Sequence, residues 1–176
     1  MSGAAGAETR LVLESADAAR TRRIGALIAA VLAPSDVLLL SGGLGAGKTT
    51  LTKGLVGALG GDERAVRSPT FTLMVTYETS PPVAHVDCWR LEQLAEVLDL
   101  GLSEVLDDGG IAVIEWGEAA APLLGAGALR VHLSAPGELA GERRRIVVSD
   151  EGASPRIAAL GEAAAAAGLV AADGPA

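Results

Sequence analysis

The sequence predicts an α/β protein in which helices flank a mixed β-sheet in three layers. Two observations support this prediction. The apolar run Val37–Leu40 leads into a glycine-rich loop, and helical periodicity follows that loop. A second run, Ile111–Ile114, is continuously apolar and ends in the charged Glu115, as a strand buried in a parallel sheet does. Strands and helices that alternate in this way favour a layered α/β architecture.

The remaining strands are predicted from short apolar or β-rich runs that are separated by turn residues. Because Thr79–Pro82 has the composition of a turn, we expect the strands on either side of it to form a hairpin. The full set of predicted strands is Arg10–Glu14, Val37–Leu40, Phe71–Glu78, Val83–Asp87, Ile111–Trp116, Leu129–Leu133 and Arg145–Val148.

Helices are predicted between these strands. Ser15 is expected to cap the first helix, with Asp17 in its first turn facing the positive end of the helix dipole. The second helix follows the glycine-rich loop and ends at Gly60-Gly61. Helical periodicity also marks Leu91–Leu98, which predicts a further helix after the hairpin.

The segment Gly42–Thr50 matches the phosphate-loop pattern G-x-x-x-x-G-K-[ST]. Glycines let backbone N–H groups turn inward around phosphate oxygens, and the helix that follows points its positive dipole end at the same anion. Lys48 can reach the β- and γ-phosphates, and the Thr49 hydroxyl can ligate Mg²⁺. We therefore expect a nucleoside triphosphate to bind along Gly42, Gly43, Leu44, Gly45, Ala46, Gly47, Lys48, Thr49 and Thr50.

Two carboxylates stand where other predicted strands end, and ligands of open α/β sheets bind at those ends. Asp87 is a candidate Mg²⁺ ligand, and Glu115 could contact the ion or orient and deprotonate an attacking water. Thr70, which follows a proline, could sense the γ-phosphate as a switch threonine does. Trp116 could stack near the nucleotide or serve as a core aromatic. His85 is expected to be a packed residue.

Length and composition limit the alternatives. A chain of 176 residues fits one domain, which we place at residues 1–150, followed by an alanine-rich tail over 151–176 that forms a weak helix or is partly disordered. The net charge of −8 argues against autonomous nucleic-acid binding. Cys88 is the single cysteine, which suits a reducing cytoplasm. We expect no signal peptide and no membrane span, and hence a cytoplasmic protein.

Several motifs in order resemble the bacterial tRNA threonylcarbamoyladenosine biosynthesis ATPase family, TsaE. The phosphate loop alone is widespread, whereas the motifs after it are more specific. The resemblance covers about Leu11 to Val148 and rests on GGLGAGKTT (42–50), SPTFTL (68–73), HVDCWRL (85–91), DLGL (99–102) and IEWGE (114–118). One departure concerns Gly43, because the family usually has an aspartate at this position.

The resemblance implies an ATPase that supports N6-threonylcarbamoylation of tRNA adenosine 37 without performing the transfer itself. It implies ATP and Mg²⁺ as cofactors and the proteins TsaD and TsaB as partners, which would hold the tRNA. By the same resemblance, Lys48 and Glu115 are the candidate catalytic residues, and Thr49, Asp87 and Glu115 surround the metal. Thr70 and Trp116 are placed beside the nucleotide.

Three rival classes share a phosphate loop. A small-molecule kinase is the strongest, although no lid-like insertion with arginines is evident in the sequence. A GTPase is weaker, because the guanine-binding Asn-Lys-x-Asp motif needs asparagine and the chain contains none. A nucleotide-binding regulator without catalysis would not need the carboxylate of Glu115.

Overall fold

The computed structural model describes residues 8–88, 96, 98–124, 126–135, 141–151 and 154–170. Within these ranges the strands are β1 (Glu8–Ser15), β2 (Val37–Ser41), β3 (Met74–Tyr77), β4 (Val83–Asp87), β5 (Ile111–Glu115), β6 (Leu129–Ser134) and β7 (Arg144–Glu151). The helices are α1 (Ala18–Ala29), α2 (Lys48–Ala58), α3 (Ser103–Asp107), α4 (Gly117–Leu124) and α5 (Pro155–Ala166), with a π-helical turn at Leu98–Leu102. Most of the helix predicted at Leu91–Leu98 lies outside the described residues.

The strands form one mixed sheet in the order β1-β7-β6-β2-β5-β4-β3. Strand β2 lies at its centre and pairs in parallel with both β5 and β6, and β5 in turn pairs in parallel with β4. The hairpin partners β3 and β4 are antiparallel, as are the pairs that β7 makes with β1 and β6. The predicted α/β class is therefore confirmed.

Successive residues of a strand point to opposite sides of the sheet. Both faces of this sheet therefore carry apolar side chains, and helices cover both faces. In β2, Leu38 and Leu40 belong to a core shared with α1, α2 and α5, whereas Leu39 packs into a second core with residues of α4 and the π-helical turn. The same alternation separates Val113 from Ile114 in β5. All five residues of β5 are buried, as predicted for a central parallel strand.

Helix α2 follows the phosphate loop, and two glycines let it pack closely against α1. A Cβ added at Gly54 would lie 1.9 Å from the carbonyl oxygen of Arg22, and one at Gly25 would lie 2.1 Å from that of Leu51. Side chains at these positions would force the helices apart. The backbones can therefore approach closely, and α1 helps to fix the position of the helix that starts at the loop.

Two local predictions were wrong. Ser15 is the last residue of β1, and Asp17 is the N-cap of α1, where its side chain accepts a hydrogen bond of 2.7 Å from the backbone N–H of Arg20. The third strand begins at Met74 instead of Phe71, because the backbone N–H groups of Thr72 and Leu73 both donate to the Pro69 carbonyl and close a turn. Phe71 is 99% exposed on that turn.

The C-terminal part of the described chain packs on the sheet. Strand β7 ends at Glu151, just past residue 150, where the predicted domain ended. Helix α5 follows and buries Ile157, Leu160 and Ala164. Ser154 caps this helix by accepting a hydrogen bond from the backbone N–H of Ile157. No helix in the described ranges has the length and apolar character needed to cross a membrane.

Candidate active site

A cavity of about 610 Å³ opens where the carboxyl ends of β2, β4 and β5 meet. This is the position at which parallel α/β sheets bind their ligands. The topology therefore brings together segments that are far apart in the sequence. The residues that line the cavity are Leu44, Gly45, Ala46, Gly47, Lys48, Thr49, Thr50, Ser68, Thr70, Asp87, Glu115 and Trp116.

The phosphate loop joins β2 to α2, which begins at Lys48, so that a helix follows the loop as predicted. Gly42 has a φ of 127°, and a Cβ at this position would lie 2.2 Å from the carbonyl oxygen of Leu133. Gly45 and Gly47 also have positive φ angles, of 72° and 108°. This backbone leads directly into the N-terminus of α2, whose unpaired N–H groups can bind an anion.

Backbone carbonyl oxygens of the phosphate loop hold the side chain of Lys48. The Nζ atom donates to the carbonyl oxygens of Gly42 and Gly43 at 2.8 and 3.1 Å, and it lies 3.9 Å from the ring centroid of Trp116. Trp116 has a φ of 61°, which is uncommon for a bulky residue, at the turn between β5 and α4. The lysine side chain is therefore placed beside the cavity by two carbonyls and an aromatic face.

Asp87 is 3% exposed at the end of β4. Its Oδ2 atom accepts hydrogen bonds of 2.7 Å from both Ser68 and Thr70, whereas Oδ1 is buried and has no hydrogen-bond partner among the described residues. A buried carboxylate oxygen without a partner is costly unless a cation or another donor satisfies it. The carboxylate thus has one oxygen tied to the 68–70 loop and one oxygen available to a ligand.

Glu115 accepts two hydrogen bonds at the same oxygen. Thr49 donates to Oε1 from its hydroxyl at 2.7 Å, and His85 lies 3.0 Å away through Nε2. Burial of the carboxyl opposes its ionisation, but the hydrogen bonds from His85 and Thr49 and the positive charge of Lys48 hold the pKa of Glu115 below its ordinary value. Glu115 is therefore ionised at neutral pH.

These residues fit a magnesium ion. Asp87 and Glu115 are register partners on adjacent parallel strands, and Thr49 is hydrogen-bonded to Glu115. The unpartnered Oδ1 of Asp87 is an oxygen of the kind that Mg²⁺ prefers. The described residues contain no cluster of three or more His, Cys, Asp or Glu that would hold a metal alone. This agrees with Mg²⁺ sites that combine one or two protein oxygens with substrate phosphates.

Most of the predicted site residues line one cavity, but two do not. Gly42 and Gly43 are not part of the lining, and their carbonyl oxygens instead accept hydrogen bonds from Lys48. Sequence analysis missed Ser68, although it stands two residues before Thr70 in the same motif. His85 is fully buried, as expected, yet its contact with Glu115 was not anticipated.

Arg144 was also missed, and it connects β7 to the phosphate loop. Its Nε atom donates to the carbonyl oxygen of Ala46 at 3.0 Å, and Nη2 donates to that of Gly45 at 3.1 Å. The guanidinium therefore holds two peptide groups of the loop from the side of β7. No motif marks this arginine, because its partners are nearly one hundred residues earlier in the chain.

The sheet order and the position of the phosphate loop define an α/β protein with a phosphate-loop NTPase-like fold. The model of the family "Threonylcarbamoyl adenosine biosynthesis protein TsaE" matches residues 15–146. The chain therefore belongs to the TsaE family, as the sequence motifs predicted.

Individual relatives agree with this assignment. The chain is 41% identical over 136 residues to the "tRNA threonylcarbamoyladenosine biosynthesis protein TsaE" of Streptomyces coelicolor, a match that spans 74% of this chain and 90% of the relative. It is 36% identical over 127 residues to the protein of the same name from Rickettsia felis, with 72% and 71% covered. The crystal structure of Bacillus subtilis YdiB superimposes with a TM-score of 0.69 at 29% identity, covering 92% of this chain and 98% of that one.

Proposed function

We propose that this protein binds ATP with Mg²⁺ and hydrolyses it in support of tRNA N6-threonylcarbamoyladenosine synthesis. The convergence of the phosphate loop, Thr49, Asp87 and Glu115 on one cavity is the observation that supports hydrolysis most directly. Membership of the TsaE family, and the names of the relatives, support the connection to this tRNA modification.

The residues have separate tasks in the proposed reaction. The N–H groups of the loop and of the α2 N-terminus bind the phosphates, and Lys48 exchanges its bonds to the Gly42 and Gly43 carbonyls for bonds to phosphate oxygens. Thr49 and Asp87 would hold Mg²⁺, which neutralises charge that develops on the phosphates. Glu115 orients the attacking water and accepts its proton.

The same proposal covers partners and location. We propose that the chain acts in the cytoplasm with TsaD and TsaB, and that these partners hold the tRNA. The net charge of −8 supports this division of tasks, because binding of a nucleic acid by the chain alone would require a basic face. Co-purification of the chain with TsaB and TsaD, with and without ATP, tests the association. Failure to form any complex in both conditions would contradict it.

Hydrolysis is tested with Glu115→Gln, which preserves the shape of the side chain and removes its charge. We expect the kcat for ATP hydrolysis to fall roughly 10²-fold or more, the scale of a lost general base, while the affinity for ATP changes little. The matched control is Glu118→Gln, which removes an exposed carboxylate three residues further on.

Near-normal turnover of Glu115→Gln would contradict the assignment of the water-activating residue. A parallel loss of ATP affinity would instead place Glu115 in the metal site. Assays with candidate acceptor molecules distinguish hydrolysis from the kinase alternative: phosphate transfer to an acceptor that exceeds transfer to water would favour a kinase.

A further inference from the structure

We propose that His85 is a positioning residue that fixes the carboxylate of Glu115 for catalysis; this inference rests on the function proposed above. His85 lies on β4 and Glu115 on the neighbouring β5, and the side chain of His85, which is not part of the cavity lining, contacts that of Glu115, which is. Neither the sequence motifs nor the expected role of a packed histidine assigned this contact.

The geometry gives His85 one contact with the active site. Its side chain has no exposed surface and is not part of the cavity lining, so it does not touch a bound nucleotide. Its Nε2 atom lies 3.0 Å from Oε1 of Glu115. An ionised carboxylate only accepts hydrogen bonds, and Nε2 is therefore the donor. His85 thus acts on the reaction through Glu115.

The other ring nitrogen of His85, Nδ1, lies next to Tyr77. The Tyr77 hydroxyl lies 3.5 Å from Nδ1 of His85, and the ring centroids are 6.1 Å apart. The same hydroxyl accepts a hydrogen bond of 3.4 Å from the backbone N–H of Arg67. A group that binds the second ring nitrogen sets the orientation of an imidazole and the nitrogen that bears the proton. The Tyr77 hydroxyl is placed at that nitrogen, and the Arg67 carbonyl oxygen, also 3.5 Å away, competes for its single proton.

The other donor to Oε1 is Thr49, whose hydroxyl is also the proposed metal ligand. His85 has no such second task, so it can hold Glu115 in the same place whether or not a nucleotide is bound. Both hydrogen bonds end on Oε1. One carboxylate oxygen is thereby fixed to the protein, and the other can accept a hydrogen bond from water.

The first test compares two substitutions at this position. His85→Phe retains a buried ring without a donor, whereas His85→Gln retains an N–H group at nearly the same distance from the backbone. We expect His85→Phe to lower kcat roughly 10- to 100-fold, the range typical of lost outer-sphere partners, with less than about a twofold change in nucleotide affinity. His85→Gln should recover at least part of the lost kcat. Equal losses in both variants, or a loss confined to affinity, would overturn the proposal.

A double-mutant cycle tests whether the effect passes through Glu115. In the Glu115→Gln background, His85→Phe should cause little further loss of kcat, because the group that it positions is already inactive. Val86→Ala is the matched control for a packing defect on the same strand, and it should lower stability while leaving kcat unchanged. Multiplicative losses of kcat in the double variant would overturn the proposal.

Urea unfolding of the wild type, the two single variants His85→Phe and Glu115→Gln, and the double variant supplies a readout that does not depend on catalysis. The effects of the two substitutions on unfolding should be non-additive, because the residues share a buried hydrogen bond. If the wild-type chain shows no hydrolysis, the proposed function fails, and the unfolding cycle still decides whether the two residues are coupled. Additive effects on unfolding would overturn the contact on which the proposal rests.

Discussion

The hydroxyl of Thr70 lies 2.7 Å from Oδ2 of Asp87. The residue predicted to sense the γ-phosphate is therefore bonded directly to the residue predicted to hold the metal. Ser68 makes an equivalent bond to the same oxygen. A ligand that contacts Asp87 would therefore meet a carboxylate that is hydrogen-bonded to the 68–70 loop, and Phe71, which follows this loop, is 99% exposed.

Asp87→Asn removes the charge and preserves the shape of this side chain. We expect the affinity for ATP in the presence of Mg²⁺, and the turnover that depends on it, to fall by at least about tenfold. Affinity for ATP without the metal should change little, because Asp87 acts through the ion. Isothermal titration in Mg²⁺ and in EDTA measures the difference. The control is Asp108→Asn, an exposed substitution at the end of α3. If Asp87→Asn lost equal ATP affinity in Mg²⁺ and in EDTA, Asp87 would be a structural residue.

Lys48→Met keeps most of the aliphatic chain but removes the ammonium. We expect nucleotide affinity to fall by at least about tenfold, because hydrogen bonds between charged groups contribute about 1.5–3 kcal/mol. The fold should persist, since the ammonium contacts the phosphate loop and the face of Trp116 beside the cavity and does not pack in the hydrophobic core. Fluorescence titration with a labelled nucleotide and circular dichroism measure both effects. Lys53→Met removes the other lysine, also on α2, and serves as the control; unchanged affinity in Lys48→Met would reject the phosphate-loop assignment.

Gly43→Asp introduces the residue expected at this position from the resemblance to the TsaE family. A Cβ at Gly43 meets nothing within 4 Å, whereas one at Gly42 would lie 2.2 Å from a carbonyl oxygen. We therefore expect Gly43→Asp to change the free energy of unfolding by less than about 0.5 kcal/mol, and Gly42→Ala to be clearly destabilising. Urea denaturation compares the two. Similar losses in both variants would show that the loop requires glycine at position 43 as well.

Asp150 gives stability a defined dependence on pH. Burial opposes its ionisation, but hydrogen bonds from Ser154, Arg156 and the Glu151 backbone, and the charge of Arg156, hold the pKa of Asp150 below its ordinary value. A depressed pKa in the folded state means that the ionised group stabilises the fold above its unfolded pKa of about 3.9. This stabilisation is lost as the pH falls through the lower, folded value.

Asp150→Asn should therefore reduce the free energy of unfolding at pH 7 by about 1.5–3 kcal/mol, the range for hydrogen bonds to a charged group. The difference from wild type should shrink as the pH falls from about 3.9 towards the lower pKa of the folded state, because the wild-type carboxyl becomes neutral first in the unfolded chain and then in the folded protein. Urea unfolding across this range measures it, with the exposed Asp107→Asn as the control. A difference that is constant with pH would exclude ionisation of Asp150 as its source.

Sequence patterns predicted the central features of the fold because their signals are local. The apolar runs in β2 and β5, the turn between β3 and β4 and the glycines of the phosphate loop each specify structure over a few residues. The rule that ligands bind at strand ends then placed Asp87 and Glu115 together without knowledge of the strand order. Asp87 and Glu115 are indeed register partners.

The contacts that the sequence did not predict join positions that are distant in the chain. His85 meets Glu115 because β4 and β5 are neighbours in the sheet, and Arg144 reaches Ala46 because β7 lies near the loop. Spacing does not encode either proximity. The error at Phe71 had a different cause: β-propensity favoured a strand, but two backbone hydrogen bonds to Pro69 close a turn there.

The residues after α5 protect an edge of the sheet. Strand β1 is the outermost strand, and its free side is covered where Leu13 forms an antiparallel bridge with Val170 and the Glu14 N–H donates to the Leu169 carbonyl at 3.0 Å. Uncovered edge strands pair with other chains and promote aggregation. Shortening the protein to Ala166 would therefore leave the cavity residues in place but expose the backbone N–H and C=O groups of β1 to other chains. We expect such a protein to lose solubility before it loses nucleotide binding.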